Sequence, residues 1–163
     1  MSKNNTFFKA LGLIILVALT FSACQKPGQG NQNPENKNLE PIPFTPYAIE
    51  DSSKLDTLGN GLIIYEVEKG RGSIPPQGSH VLVHYYGTLD NGEKFDSSYE
   101  RGEPLGFNVG KGQVIKGWDE GIALLKGGDK AVLFIPSELG YGKGGSGSKI
   151  PGDSELIFYI EAL

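Results

Sequence analysis

The residue types that most often carry chemistry are present in this chain, but their spacing builds no familiar reactive site. His80 and His84 are four residues apart, which in an extended segment is about 13 Å, so they do not form a helical pair of metal ligands. Residues 142–147 spell a dinucleotide-binding motif, but Pro151 and Gly152 stand where the phosphate-binding helix should begin. No nucleophile-elbow, phosphate-loop or serine–histidine–acid pattern occurs. The sequence therefore predicts no metal, no cofactor and no hydrolase or phosphotransferase chemistry.

An excess of aromatic and aliphatic residues beside loop glycines indicates binding instead. Tyr141 lies in a glycine-rich stretch where a core tyrosine is less expected, and Asp96 directly follows the apolar Phe95. A polar group on an apolar wall is typical of a ligand pocket. The candidate pocket residues are Tyr85, Phe95, Trp118, Tyr141, Ile150 and Phe158. By themselves these residues are equally compatible with an ordinary core.

The elements that must position these residues follow an α+β pattern. Extended segments are predicted at 62–67, 80–86, 107–109, 131–136 and 156–160. The second segment continues through Asn91-Gly92 to Phe95, a strong hairpin signal. One segment has helical spacing, with Val114, Ile115, Trp118, Ile122 and Leu125 on a single stripe. The pattern predicts one short helix packed on an antiparallel sheet.

The composition and charge of the chain exclude some binding partners and some kinds of site. The chain has 163 residues with 24 glycines and 10 prolines, and its net charge is -4. It contains no basic run that could neutralise a phosphate backbone, so nucleic acid is not expected as a partner. Because Cys24 is the only cysteine, an intramolecular disulfide and a cysteine-based zinc site are excluded.

Residues 1–23 have the layout of a secretory signal peptide. Lys3 and Lys9 precede an apolar run at 10–21, which is shorter than the roughly 20 residues of a membrane-spanning helix. The small residues directly before Cys24 resemble the bacterial lipobox, although Phe21 stands where that motif prefers leucine. The resemblance implies an exported protein of the bacterial cell envelope, periplasm-facing or on the outer membrane, anchored through an acylated Cys24. Ordinary secretion with an incidental cysteine is the alternative.

Residues 24–56 are predicted to be the anchored N-terminus and a flexible linker. The segment is polar and punctuated by proline, and a flexible coil of this length reaches about 30 Å. Residues 57–163 then form one domain.

Five blocks of this domain, in order and spacing, resemble the FKBP-type peptidyl-prolyl cis/trans isomerases. The blocks are residues 83–87, 92–98, 114–121, 141–142 and 156–158. The family fold is a bent antiparallel sheet of about five strands wrapped around one short α-helix, which agrees with the pattern above. The resemblance implies that the protein accelerates rotation about X-Pro bonds.

The resemblance also implies a site. Trp118 corresponds to the floor under the proline ring, and the walls correspond to Tyr85, Phe95, Val114, Ile115 and Phe158. The backbone N–H groups of Ile115 and Ile150 and the hydroxyl of Tyr141 are implied to meet substrate carbonyls, with Asp96 at the rim. The implied catalytic set is Tyr85, Phe95, Asp96 and Tyr141.

Two departures affect the rim of this site. Leu105, counted among the substrate-binding residues, stands where the family usually has an aromatic residue. Residues 146–149 replace a more apolar loop tip, and Lys149 directly precedes Ile150. Trp118, the floor residue, matches the family pattern. The two departures are therefore expected to affect which substrate sequences are preferred and how tightly macrolides bind.

The implied partners are proline-containing polypeptides, macrolide inhibitors and, through Cys24, a membrane. Two alternatives stay open at this stage. One is a chaperone module that binds proline-containing peptides without useful turnover. The other is a self-ligand, with Ile42-Pro43 from the linker occupying the pocket.

Overall fold

The computed structural model describes Ile49 and residues 51–163. The predicted signal peptide, the acylation site at Cys24, the Ile42-Pro43 segment and most of the predicted linker lie outside these residues. Within the described part of the chain, no helix is long and apolar enough to span a membrane.

One antiparallel sheet of seven strands organises the described residues. Its strands are β1 Leu55–Thr57, β2 Ile63–Glu68, β3 His80–Leu89, β4 Lys94–Ser97, β5 Leu105–Asn108, β6 Lys130–Ile135 and β7 Leu156–Ala162. The strand order is β1-β2-β6-β7-β3-β4, and β5 also pairs with β3. One edge of β3 pairs with β7, while its other edge pairs first with β5 and then with β4. Strand β3 therefore joins three neighbours, all of which carry pocket residues.

Two short α-helices accompany the sheet, α1 at Ser98–Arg101 and α2 at Lys116–Ile122. Single 3₁₀ turns occupy Ser52–Lys54, Ser137–Leu139 and Gly142–Gly144. Helix α2 lies close to β6 because it presents a glycine there: a Cβ on Gly117 would come within 2.5 Å of Cγ2 of Ile135. This close approach fixes the depth at which Trp118, the next residue, enters the core.

The core lies between α2 and one face of the sheet. Along β3, Val83, Tyr85 and Gly87 are buried at alternate positions, as expected for a strand with one face against the core. The fully buried side chains include Leu62, Val83, Ile122, Leu133, Ile135, Leu156 and Ile160. Burying each large aliphatic side chain contributes roughly 1.5–3 kcal/mol. Because an isolated helix of seven residues is not stable in water, α2 depends mainly on this apolar contact.

The structure confirms the predicted α+β class and the antiparallel sheet on a short helix. The sheet has seven strands rather than about five. The four-residue β4 was predicted only as the far arm of the hairpin at Asn91-Gly92, and β1, with three residues, is too short for alternation to reveal it. Helix α1 was missed for the same reason, since it is one turn that ends at Gly102 with φ of 73°.

Folded structure also begins before residue 57, the predicted start of the domain. The 3₁₀ turn Ser52–Lys54 leads directly into β1, where Leu55 pairs with Tyr65 of β2. A short edge strand of this kind takes its stability from its neighbour and leaves little local signal.

Gly87 on β3 supplies a test of this packing. A Cβ at this position would come within 2.7 Å of Cε1 of Phe158 and 2.8 Å of Cε2 of Phe95. Gly87→Ala should therefore displace both rings and lower the free energy of unfolding by about 1–3 kcal/mol, measured by urea denaturation. Gly59→Ala is the matched control, because nothing lies within 4 Å of the Cβ it would add. Equal stabilities of the two variants would contradict this account.

Candidate active site

A pocket of about 550 Å³ opens beside α2 and the loop at 141–150. All ten residues predicted for the site line it: Tyr85, Phe95, Asp96, Leu105, Val114, Ile115, Trp118, Tyr141, Ile150 and Phe158. Gln113 and residues 146–149 complete the lining. Residues that are distant in sequence are thus brought together by the sheet and the helix.

The centre of the pocket is a cluster of aromatic rings around Trp118. The indole centroid lies 4.9 Å from the ring of Tyr85 at 82° and 5.0 Å from the ring of Phe158 at 79°. Phe95 in turn packs against Phe158 at 5.3 Å and 84°. These edge-to-face arrangements are the favoured geometry for aromatic pairs and keep the rings in fixed orientations. Trp118 is only 3% exposed yet still lines the pocket, as a floor should.

Strand pairing explains why these rings meet. Gly87 of β3 pairs with Phe158 on one side and with Asp96 on the other. Because Gly87 has no side chain, the rings of Phe95 and Phe158 occupy the space beside it. Tyr85, two residues earlier on the same strand face, then lies against Trp118.

A hydrogen-bonded network fixes the polar side of the pocket. The hydroxyl of Tyr85 donates to Oδ2 of Asp96, while Oδ1 accepts from Nη1 of Arg101 at 2.5 Å and from the Ser97 amide at 2.8 Å. Nη2 of Arg101 also donates to the Tyr85 hydroxyl at 2.6 Å, and the guanidinium lies 5.2 Å from the centroid of the Tyr85 ring. Both carboxylate oxygens of Asp96 are therefore already engaged by the protein.

This network shifts the pKa values of all three side chains, and that of Arg101 is raised, chiefly by its hydrogen bond to Tyr85. Burial, followed by the hydrogen bond to Asp96, raises the pKa of Tyr85 to about 12, so its hydroxyl keeps its proton at neutral pH. Burial alone would raise the pKa of Asp96, but the hydrogen bonds from Tyr85, Arg101 and the Ser97 amide outweigh it and hold that pKa below its ordinary value. The pair is consequently a neutral phenol bound to a charged carboxylate.

At the start of α2, the pocket-lining residue Ile115 has an unused backbone donor. The carbonyl of Ile115 accepts from the amides of Trp118 and Asp119 at 2.9 and 3.1 Å, but its own N–H has no acceptor among the described residues. Asp119 holds the preceding turn, since its carboxylate accepts from the amides of Gly110 and Gly112 at 2.9 and 2.6 Å. Ile115 thus lines the pocket with a backbone N–H that no described protein group uses.

The loop at 141–150 supplies a second free donor. Tyr141 is 42% exposed, and its hydroxyl has no partner among the described residues. The role implied for the Ile150 N–H, which was to bind a substrate carbonyl, requires correction. Its N–H donates to the Ser146 carbonyl at 3.1 Å, because Gly147, with φ of 56°, turns the chain back on itself. Ile150 therefore lines the pocket, while its N–H is already used within the loop.

Sequence reasoning missed two residues that organise the site, Arg101 and Asp119. Arg101 reaches Tyr85 and Asp96 only after the hairpin and α1 have folded, so nothing local indicates its role. Asp119 carries a weak signal, an acid in the first turn of a helix.

One serine and one histidine do meet, but not in a reactive arrangement. Nδ1 of His84 lies 3.0 Å from Oγ of Ser98. That oxygen is fully buried, accepts from the Tyr85 amide at 2.7 Å and donates to the Tyr85 carbonyl at 3.2 Å. The pair secures β3 to α1. Among the described residues, no group of three or more His, Cys, Asp or Glu side chains could hold a metal ion.

Comparison with known proteins places the chain. Residues 72–163 match the family described as FKBP-type peptidyl-prolyl cis-trans isomerase. The chain belongs to this family. It is 50% identical over 103 residues to FK506-binding protein 1 of Dictyostelium discoideum, covering 63% of this chain and 96% of that one. It is 52% identical over 103 residues to the FK506-binding protein of Neisseria meningitidis serogroup B, covering 63% and 94% of the two chains.

A solved structure agrees with this assignment. The crystal structure of AtFKBP13 superposes with a TM-score of 0.64 at 42% identity, covering 66% of this chain and 95% of that one. Family membership, predicted from five short blocks, is confirmed, and the protein is a peptidyl-prolyl cis/trans isomerase.

The shifted pKa of Asp96 predicts a pH dependence of stability. Because the folded state holds this pKa low, the charged carboxylate contributes stability that is complete above its ordinary pKa of about 4 and is lost as the pH falls through the folded value. Asp96→Asn should therefore be less stable than the parent at pH 7, and the difference should shrink as the pH falls from about 5 toward 2. Urea denaturation across this range measures it.

Asp90→Asn is the control, since Asp90 is an exposed carboxylate in the same hairpin. We expect its stability difference to be small at every pH. A difference for Asp96→Asn that stays constant over the whole range would contradict the assigned ionisation.

Proposed function

We propose that the aromatic pocket accelerates X-Pro isomerisation by binding the twisted form of the bond more tightly than the planar form. Rotation about this bond faces a barrier of about 18–20 kcal/mol, because amide resonance is lost when the bond is perpendicular. No covalent bond is broken, so the reaction needs no nucleophile. Each tenfold acceleration requires about 1.4 kcal/mol of preferential binding to the twisted state.

The apolar floor supports the first part of this mechanism. A planar amide is strongly dipolar and well hydrated, whereas the twisted form separates less charge. Transfer into a pocket walled by Trp118, Tyr85 and Phe158 therefore costs the planar form more than the twisted form. We place the proline ring on the indole, with the X-Pro bond among the aromatic walls.

The free donors support the second part. The Ile115 N–H and the Tyr141 hydroxyl both belong to pocket-lining residues and have no protein acceptor among the described residues. We assign them to the carbonyl groups that flank the proline, which they hold while the bond rotates. These two uncommitted donors beside an apolar floor are the observation that carries the proposal.

Asp96 has a different role in this scheme. Since both of its oxygens accept hydrogen bonds from protein groups, it is a positioning residue that orients Tyr85. Contact with the substrate is left to Tyr85, Phe95 and Tyr141.

Removing one donor tests the mechanism. Tyr141→Phe deletes a hydroxyl from an exposed side chain and should lower kcat/KM about twofold to tenfold, the value of one hydrogen bond. Trp118→Ala should lower it further, because the floor itself is lost. The measurement is exchange NMR or a protease-coupled assay on a Leu-Pro peptide with the full chain.

Tyr65→Phe, on β2 and outside the pocket lining, is the matched control and should keep parental activity. Because Trp118 is buried, its variant requires a folding check by circular dichroism, whereas Tyr141→Phe does not alter the core. Parental kcat/KM in Tyr141→Phe would overturn the assigned donor.

A second candidate is a chaperone module that binds proline-containing peptides without useful turnover. The observation behind it is that Leu105 and Lys149 both line the pocket, so its rim departs from the family pattern at two positions. Saturable peptide binding with an unchanged isomerisation rate would favour this candidate. For the same pocket we also propose macrolide binding, on the strength of relatives named FK506-binding proteins.

We further propose that the enzyme works on exported proteins from a lipid anchor at Cys24. Support comes from the sequence: two lysines, an apolar run at 10–21 and small residues directly before the cysteine. Acyl chains on Cys24 would attach the protein to the membrane. Because a single acyl chain binds a bilayer only weakly, stable attachment needs more than one.

Intact-mass analysis tests the anchor. In a bacterial host the full chain should lose residues 1–23, gain the mass of its acyl groups and partition with membranes. Cys24→Ser should abolish the added mass and the membrane partitioning. A mature protein that carries an unmodified Cys24 thiol and stays in the aqueous fraction would exclude the anchor.

A further inference from the structure

The pocket rim carries a cation that the mechanism above does not use. Lys149 lines the pocket, and its exposed side chain reaches back to the β4 wall, where Nζ donates to the Phe95 carbonyl at 3.2 Å. No carboxylate among residues 51–163 pairs with this ammonium group. An ammonium group has three donors, so two are left for a ligand.

The nearest candidate within the lining, Asp96, does not neutralise it. Its carboxylate is committed to Arg101, Tyr85 and the Ser97 amide. The charges of Asp96 and Arg101 therefore balance each other, and the positive charge of Lys149 remains uncompensated at the mouth of the pocket.

The loop that carries Lys149 is tightly built. Ser146 and Ile150 exchange two backbone hydrogen bonds of 2.8 and 3.1 Å on either side of it. A Cβ on Gly145 would collide with the carbonyl of Ile150, and a Cβ on Gly152 with the carbonyl of Lys143. The backbone of Lys149 is therefore held in place and its side chain is tied to the Phe95 carbonyl, which lowers the entropy lost when a ligand binds.

We propose that Lys149 makes this isomerase prefer substrates with a carboxylate on the residue directly before the proline. The inference rests on the proposed seating of the proline ring on Trp118. The ring of Phe95 packs against Phe158 at a centroid distance of 5.3 Å, and Phe158 packs against Trp118 at 5.0 Å. Lys149 donates to the backbone carbonyl of Phe95, so its ammonium group lies at that wall. We assign the side chain of the residue before the proline to the same side of the pocket. In this arrangement a glutamate carboxylate accepts from the two remaining donors of the ammonium group.

Peptides that differ only at this residue measure the preference. For the full chain, kcat/KM for a Glu-Pro peptide should exceed that for its Gln-Pro counterpart about twofold to fivefold at low salt, the range for an exposed ion pair. The ratio should fall toward one in about 1 M salt, where the Debye length is about 3 Å. Lys149→Gln should bring the low-salt ratio close to one, and Lys149→Glu should bring it below one.

Lys143→Gln is the matched control, because Lys143 is an exposed lysine of the same loop outside the pocket lining and should keep the parental ratio. Each ratio compares two substrates on one protein preparation, so a partly unfolded variant does not distort it. A parental ratio of one, with a Leu-Pro peptide still accelerated, would overturn this inference alone. A preference that survives in Lys149→Gln would also overturn it. Absence of acceleration for every peptide would overturn the proposed pocket mechanism as well.

Discussion

The packing of Trp118 against Tyr85 and Phe158 is the contact on which both the core and the site depend. The same indole closes the space between α2 and the sheet and forms the floor of the pocket. It reaches this depth because Gly117 lets the helix lie against Ile135. The same ring therefore contributes to stability and lines the pocket, so a substitution at Trp118 is expected to change both.

Much of this arrangement could be predicted from the sequence. The hairpin at Asn91-Gly92, the helical stripe through Trp118 and the longer strands all have strong local patterns. The resemblance then named pocket residues that the fold does bring together. What could not be predicted depends on tertiary contact: β1 exists only through its pairing with β2, and Arg101 finds its partners only after the chain has turned. The direction of the Ile150 N–H likewise follows from the turn at Gly147.

Apolar and polar groups have different roles in the site. In the proposed mechanism, aromatic rings exclude water where the bond rotates, while charged groups lie at the rim, where solvent screens them. Arg101 and Asp96 form an ion pair, and both hydrogen-bond to the hydroxyl of Tyr85, which restricts the movement of that side chain. Lys149 has no carboxylate partner among residues 51–163, so the proposed substrate preference depends on the rim of the pocket rather than on its floor.

The position of β7 between β3 and β6 has a consequence for how the molecule is made. In the described sheet, β1, β2 and β6 lie on one side and β3, β4 and β5 on the other, and only residues 156–162 join the two groups. A growing chain therefore cannot complete the sheet until these residues have left the ribosome, and pairings of such long sequence separation form slowly. The pocket takes Phe158 from this strand, so the site is also incomplete until the last strand is in place.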